Sequence, residues 1–326
     1  MPLRSSLTRA TQSFVAKETL VGVHSTGTAL PELTRGGDPV PKLFCFPVPK
    51  IGSSSSSSSE YDLLFGHVYL PPDFKPGTEY PVMVNAYGGP QCQLVTNAYP
   101  SSQNEALGAM SRMQAMVVVC VDGRGTPHRG LEFESAIGGS LGCVEVEDIW
   151  DSVPEKHACA ALVDRTRVAI HGWSYGGYVT LRALASHPEW FKVAIAGAPV
   201  VRWDWYSAAY SERYLGVLPH SKDATGGAAA SDAEQATVDA YEAASVTSVA
   251  DKLPRDRNRL LVVHGWNDDN VHVAHTAELV RSLQRSWGCL ESTRLSVYAN
   301  ERHGLRLPSS NEHFETLLTF WLFYFL

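Results

Sequence analysis

The chain of 326 residues is 44% hydrophobic and 19% charged, a balance that suits one large globular domain with additions. A net charge of −7 and a pI near 5.9 argue against a nucleic-acid partner, which would favour a basic face. The longest apolar run, at the C-terminus, falls far short of the roughly 20 residues that span a bilayer, so no membrane association is expected.

Residues 1–60 read as an irregular N-terminal segment. The opening Met1-Pro2-Leu3-Arg4-Ser5-Ser6 lacks the apolar core of a signal peptide, periodicity is weak, and Pro39, Pro41, Pro47 and Pro49 interrupt the rest. Seven serines, Ser53 to Ser59, then form a low-complexity linker. From Tyr61 to Leu326, short apolar runs alternate with helical patterns. Strands are expected at 65–70, 81–86, 116–121, 167–171, 192–197, 259–264 and 293–298. Helices are expected near 103–114, 145–160, 176–187, 272–286 and 310–325, with Pro154 kinking or breaking the second. Such alternation predicts an α/β domain over 61–326, a mostly parallel, doubly wound sheet flanked by helices. Thr225 to Ala230 lies between two helical regions and reads as an exposed insertion. Six cysteines (45, 92, 120, 143, 159 and 289) show no Cys-x-x-Cys pairing, so free thiols and a cytoplasmic location are expected.

Three blocks carry chemistry. His171-Gly172-Trp173-Ser174-Tyr175-Gly176-Gly177 follows the apolar run Val168-Ala169-Ile170 and precedes a helix. That is the setting of a Gly-x-Ser-x-Gly elbow, in which a strand ends, the chain turns sharply at the nucleophile and a helix departs. Glycines flank the serine because a Cβ would clash across so tight a turn. His264 to Asn270 follows the run Leu260 to Val263 and offers Asp268 or Asp269; Asn300-Glu301-Arg302-His303-Gly304 follows Leu295 to Tyr298. The order Ser, Asp, His is that of α/β-hydrolases, and each group stands just past a strand, where such sheets place their sites. Asp268-x-Asn270-x-His272 begins like a calcium loop but lacks the later glycine and glutamate, so no metal and no cofactor is expected. His171, His264 and His272 read as structural.

These blocks resemble the prolyl oligopeptidase family of serine peptidases, and within it the dipeptidyl peptidase branch, which removes N-terminal dipeptides with proline or alanine second. Tyr87-Gly88-Gly89-Pro90, Val121 to Gly125, Ala198 to Trp203 and Tyr210 to Tyr214 add to the likeness. The wording is nearest the cytosolic dipeptidyl peptidase 8/9 group, over roughly residues 60 to 326. The resemblance implies Ser174 as nucleophile, His303 as general base and Asp268, rather than Asp269, as the acid that orients it. It implies the Tyr87 hydroxyl as an oxyanion donor beside the Tyr175 backbone N–H, which the elbow motif itself supplies. It also implies a proline box of Tyr175, Val200, Trp203, Tyr206, Tyr210 and Val271, with Asn270 on substrate carbonyls. The 3–4 spacing of Trp203, Tyr206 and Tyr210 would equally suit one buried helix face.

The likeness further implies peptide substrates and a homodimer through the C-terminal helix. Relatives carry an N-terminal β-propeller that supplies the carboxylates gripping the substrate ammonium, whereas residues 1–60 hold at most one or two propeller strands. The chain therefore reads as a post-proline serine peptidase lacking that domain. An inactive fragment or interaction module, and a general hydrolase esterase or oligopeptidase, stay open as alternatives.

Overall fold

Strands β1 (Lys42–Pro49), β2 (Tyr61–Tyr69), β3 (Tyr80–Ala86), β4 (Val117–Asp122), β5 (Val163–Trp173), β6 (Phe191–Gly197), β7 (Leu260–Gly265) and β8 (Thr293–Tyr298) form one sheet in the computed structural model. The structure describes residues 41–51, 61–98, 102–152, 163–219, 231–287 and 291–326. The order across the sheet is β1-β2-β4-β3-β5-β6-β7-β8. β2 pairs antiparallel with β1 and β4, and every later pair is parallel.

Side chains alternate across a strand, so a sheet covered on both faces must be apolar at successive positions. Val82, Val84, Val168, Ile170, Ala196 and Val262 enter one core. Met83, Ala169, Ile195, Leu261 and Val263, their immediate neighbours, enter the other together with Val118. Over the first face lie α3 (Val144–Ser152), α4 (Tyr175–Ser186) and α7 (Ala274–Trp287), contributing Ile149, Leu181 and Leu279. Over the second lie α1 (Ser102–Gln114) and α8 (Pro308–Phe325), contributing Leu107, Leu318, Trp321 and Leu322. Ile170 is fully buried at the centre, so Ile170→Ala would cost about 2–5 kcal/mol and loosen the strand that carries the elbow.

The strands and helices expected between 61 and 326 are present within a few residues, and residues 153–160 of the expected second helix lie outside the described residues. The sheet, however, starts at Lys42, ahead of the expected boundary at 60. Phe44, Phe46 and Val48 are buried while Pro47 and Pro49 face solvent. A proline cannot donate to a ladder, and β1 tolerates them because it is the sheet edge. Three further helices are present: α2 (Leu131–Ser135), which was not expected, and α5 (Ala208–Leu215) and α6 (Asp232–Ala244), the helical regions on either side of the insertion. α6 starts at a reciprocal cap in which Ser231 N–H donates to Glu234 Oε2 at 2.8 Å and Glu234 N–H to Ser231 Oγ at 3.3 Å. α3 is described to Ser152; Pro154, the Ser53 to Ser59 linker and the Thr225 to Ala230 insertion lie outside the described residues. Cys45, Cys92, Cys120 and Cys143 are free thiols, and the other two cysteines also lie outside. Among the described residues no helix is long and apolar enough to cross a membrane.

Candidate active site

The carboxyl ends of β5, β7 and β8 converge on one cleft. Ser174 follows β5 with φ 61° and ψ −117°, a conformation non-glycine residues seldom adopt. The turn is closed so tightly that a Cβ on Gly172 would lie 2.3 Å from the Gly176 carbonyl oxygen, and one on Gly176 2.2 Å from that of Ala86. The backbone thus presents Ser174 Oγ above the sheet edge, at the start of α4.

Ser174 Oγ lies 2.8 Å from His303 Nε2, and His303 Nδ1 lies 2.8 Å from Asp268 Oδ2. The Asp268 carboxylate is buried, and its Oδ1 accepts the N–H groups of Asn270 and Val271 at 2.9 Å each. Burial alone would raise its pKa; hydrogen bonds from His264 and His303 outweigh that and hold it well below the usual carboxylate range. An anionic, fixed acceptor behind one imidazole nitrogen and a hydroxyl at the other can draw a proton off serine and stabilise the resulting cation. Asp269 points elsewhere and meets Arg302 at 3.1 Å, both largely exposed.

Both loops are held from behind. Trp173 Nε1 donates to the His303 carbonyl at 2.6 Å. Glu301, buried, accepts the Arg306 and Leu307 N–H groups at 2.8 and 3.0 Å and so ties down the turn around His303.

Next to Ser174 opens a cavity of about 430 Å³ lined by Tyr175, Val200, Trp203, Tyr206, Tyr210 and Asn270, with Tyr87 at its side. The aromatic residues do not share one helix face. Trp203 opens a 3₁₀ turn, Tyr206 ends it, and Tyr210 sits in the first turn of the next helix, α5. Trp203 meets Tyr206 edge-on and stacks on Tyr210, with centroids 5.9 Å apart in both pairs. Asn270 Oδ1 accepts from the Tyr206 hydroxyl at 2.8 Å. Burial first, then Cys92 and Tyr206, push the Tyr87 phenol up to about 12, so it stays protonated and able to donate at neutral pH. Val271 is buried but stands apart from this lining, its carbonyl accepting from His264 Nε2 at 2.7 Å.

Residues 108–326 match the prolyl oligopeptidase family. The chain belongs to that family. It is 37% identical to dipeptidyl peptidase 8 of Mus musculus over 300 residues, 92% of this chain and 31% of that protein. It is 34% identical to prolyl endopeptidase FAP of Homo sapiens over 260 residues, 79% of this chain and 31% of that one. Dipeptidyl peptidase 4 of Sus scrofa is 32% identical over 260 residues, 78% of this chain and 30% of its own length. The chain therefore spans about three tenths of the curated relatives it matches. Its catalytic-domain fold is the α/β-hydrolase fold of the family.

Several residues around this site carry no motif. His275 Nδ1 accepts the Val201 and Arg202 N–H groups at 3.1 and 3.3 Å, fixing the wall that carries Val200 and Trp203. Burial, reinforced by His264, lowers its pKa to about 4, so it remains a neutral acceptor. Cys92, Leu94 and Trp173 complete the cavity lining. Of the histidines read as structural, His171 meets Asn85 Oδ1 at 3.0 Å and His272 Nδ1 accepts the Ala274 N–H at 3.1 Å. His264 does more, since it reaches Asp268 itself. Hydrophobic pattern does not single out His275, because its partners are backbone groups brought in by another loop.

Proposed function

We propose that this chain is the catalytic portion of a serine peptidase that cleaves after proline or alanine, releasing N-terminal dipeptides through an acyl-enzyme. What carries the reading is the unbroken contact chain from Ser174 through His303 to Asp268, opening directly on an aromatic chamber. Ser174 attacks the scissile carbonyl, His303 takes the hydroxyl proton and returns it to the leaving amine, and Asp268 stabilises the imidazolium. The oxyanion is received by the Tyr87 hydroxyl and the Tyr175 backbone N–H, which sits in the first turn of α4, where helices leave N–H groups without internal partners. Proline is apolar and has no N–H, so a box of rings suits it better than a hydrogen-bonding slot. The names of the relatives, dipeptidyl peptidases and a prolyl endopeptidase, agree with this substrate class.

A fluorophosphonate probe should label wild type at Ser174 and leave Ser174→Ala unlabelled with its fold intact. Gly-Pro and Ala-Pro amides should then be hydrolysed in preference to simple esters. Labelling of another serine would overturn the assignment; preference for esters would favour a general hydrolase.

The same reading includes a homodimer through α8 and a cytoplasmic location. Leu318, Trp321 and Leu322 face the core, while Phe320, Phe323 and Tyr324 are exposed, an aromatic patch of the kind that marks an interface. Phe323→Glu with Tyr324→Glu should shift light-scattering mass from dimer to monomer. A wild type that is already monomeric refutes the dimer. The described cysteines, all free, suit a reducing compartment.

A further inference from the structure

Behind the chamber lies a carboxyl group that the peptidase mechanism does not use. Glu145, in the first turn of α3, is fully buried. Its Oε1 accepts the Tyr175 hydroxyl, and its Oε2 accepts the Gly142 N–H at 3.0 Å. Among the described residues no cation is paired with it: the Arg124 guanidinium is held by Asp148, and Arg182 reaches the Gly142 carbonyl. The groups facing Glu145 are Tyr175 and Tyr178 from α4, Tyr210 from α5 and Asp148 from its own helix. A buried carboxyl without a cation is costly, and a fold keeps one where its hydrogen bonds fix something.

What it fixes is the junction of both halves of the oxyanion site. Tyr175 follows the nucleophile, so its amide faces the substrate carbonyl while its ring walls the proline chamber. The Tyr87 turn presses on the same place: a Cβ on Gly88 would lie 3.3 Å from Glu145 Cβ, and one on Gly89 2.7 Å from the Tyr87 ring and 2.9 Å from that of Tyr175. The two rings lie 6.2 Å apart. One carboxyl therefore anchors the Tyr175 ring and backs the turn that carries Tyr87.

We propose that Glu145 is a positioning and specificity residue for the reaction at Ser174, holding the Tyr175 ring as a fixed wall and with it the oxyanion donors. The inference rests on the peptidase reading above. A pyrrolidine ring touches that wall and an alanine methyl barely reaches it, so loss of the anchor penalises proline more than alanine. An untethered Tyr175 hydroxyl must also find a new partner, and the chamber side offers substrate space.

The test compares Glu145→Gln, Tyr175→Phe and the double variant, with rates expressed per site titrated by fluorophosphonate. Gln keeps the volume but cannot accept from both Tyr175 and Gly142, and Phe keeps the ring and the amide. Each single variant should lose about tenfold in kcat/KM on Gly-Pro amides, largely in kcat, and about threefold on Gly-Ala amides. The double variant should lose no more than either alone, because both remove one interaction. A purely structural Glu145 would lower the titrated fraction and Tm yet leave rates per site and the proline-to-alanine ratio unchanged. Unchanged ratios, or losses that add in the double variant, overturn the proposal. If Glu145→Gln fails to fold, the ratio in Tyr175→Phe decides it. A wild type that neither labels nor hydrolyses overturns the peptidase reading and this inference together; active wild type with indifferent variants overturns the inference alone.

Discussion

His264 Nε2 lies 3.2 Å from Asp268 Oδ2, the same oxygen that receives His303 Nδ1. The other His264 nitrogen, Nδ1, is 2.7 Å from Thr276 Oγ1, and Nε2 is also 2.7 Å from the Val271 carbonyl. A carbonyl can only accept, so Nε2 carries the hydrogen and shares it between Val271 and Asp268, while Nδ1 accepts from threonine. Asp268 thus has donors on every side: two backbone amides on Oδ1, two imidazoles on Oδ2.

Removing the His264 donor should therefore be felt at Ser174, three links away. His264→Leu should lower kcat/KM about 10- to 100-fold, the range for one hydrogen bond to a charged group, with an intact fluorophosphonate end-point but slower labelling. His264→Gln, which can still donate, should recover part of the loss. Equal rates in all three would mean that His264 serves packing only.

The two adjacent aspartates should separate cleanly. Asp268→Asn leaves His303 without an anionic partner and should cost about 10⁴ in kcat. Asp269→Asn breaks an exposed pair with Arg302, typically worth under about 1 kcal/mol, and should change kcat by less than tenfold. Comparable losses at both positions would show that the acid is not Asp268.

How much of this was legible beforehand depends on what kind of signal each element leaves. Strands 81–86, 167–171 and 259–264 announce themselves because both faces are buried and the run is apolar throughout. The elbow is legible because Gly172 and Gly176 leave no room for a Cβ. β1 was not, since its apolar residues alternate with prolines that only an edge strand accepts. α5 and α6 are legible only as helical regions without bounds around the insertion, because few of their residues are buried: Ser211 and Leu215 in one, Tyr241 and Ala244 in the other. The supporting groups Glu145, His275 and Glu301 bind backbone or a single distant hydroxyl, contacts that leave no periodic trace. The aromatic trio shows the converse. Its helical spacing is an accident of a 3₁₀ turn, a loop and a helix start.

Glu145 should also leave a signature in stability against pH. Burial first, then Asp148, push its carboxyl up to about 7, against hydrogen bonds that pull it down. A glutamate in the unfolded chain ionises near about 4.3. Between those values the folded chain keeps a proton that the unfolded chain releases, so this group's contribution falls as pH rises from about 4.3 to 7, by on the order of 3 kcal/mol. His67, His171 and His275, whose pKa values burial lowers, act with the opposite sign in part of the same window. Asp268, depressed, loses its contribution only at more acid pH. The difference between wild type and Glu145→Gln isolates the carboxyl: by denaturant unfolding it should shift between pH 5 and 7.5 in favour of the variant. A difference that stays constant across that range would show that Glu145 holds an ordinary pKa.

The last prediction concerns what holds the substrate's free amine. Among the described residues that line the chamber none is a carboxylate. The acidic groups nearest the site are already engaged: Glu145 with Tyr175 and Gly142, Glu301 with the Arg306 and Leu307 amides, Asp268 with two histidines. Freeing any of them would undo the loop it holds. A desolvated ammonium–carboxylate contact typically contributes about 2–5 kcal/mol, which is roughly 30- to several-thousand-fold in kcat/KM. This chain assayed by itself should therefore hydrolyse Xaa-Pro amides weakly and barely distinguish a free from an acetylated N-terminus. The measurement is the ratio of kcat/KM for Gly-Pro and acetyl-Gly-Pro amides. A ratio above about one hundred would mean that an amine-binding carboxylate lies within these 326 residues after all.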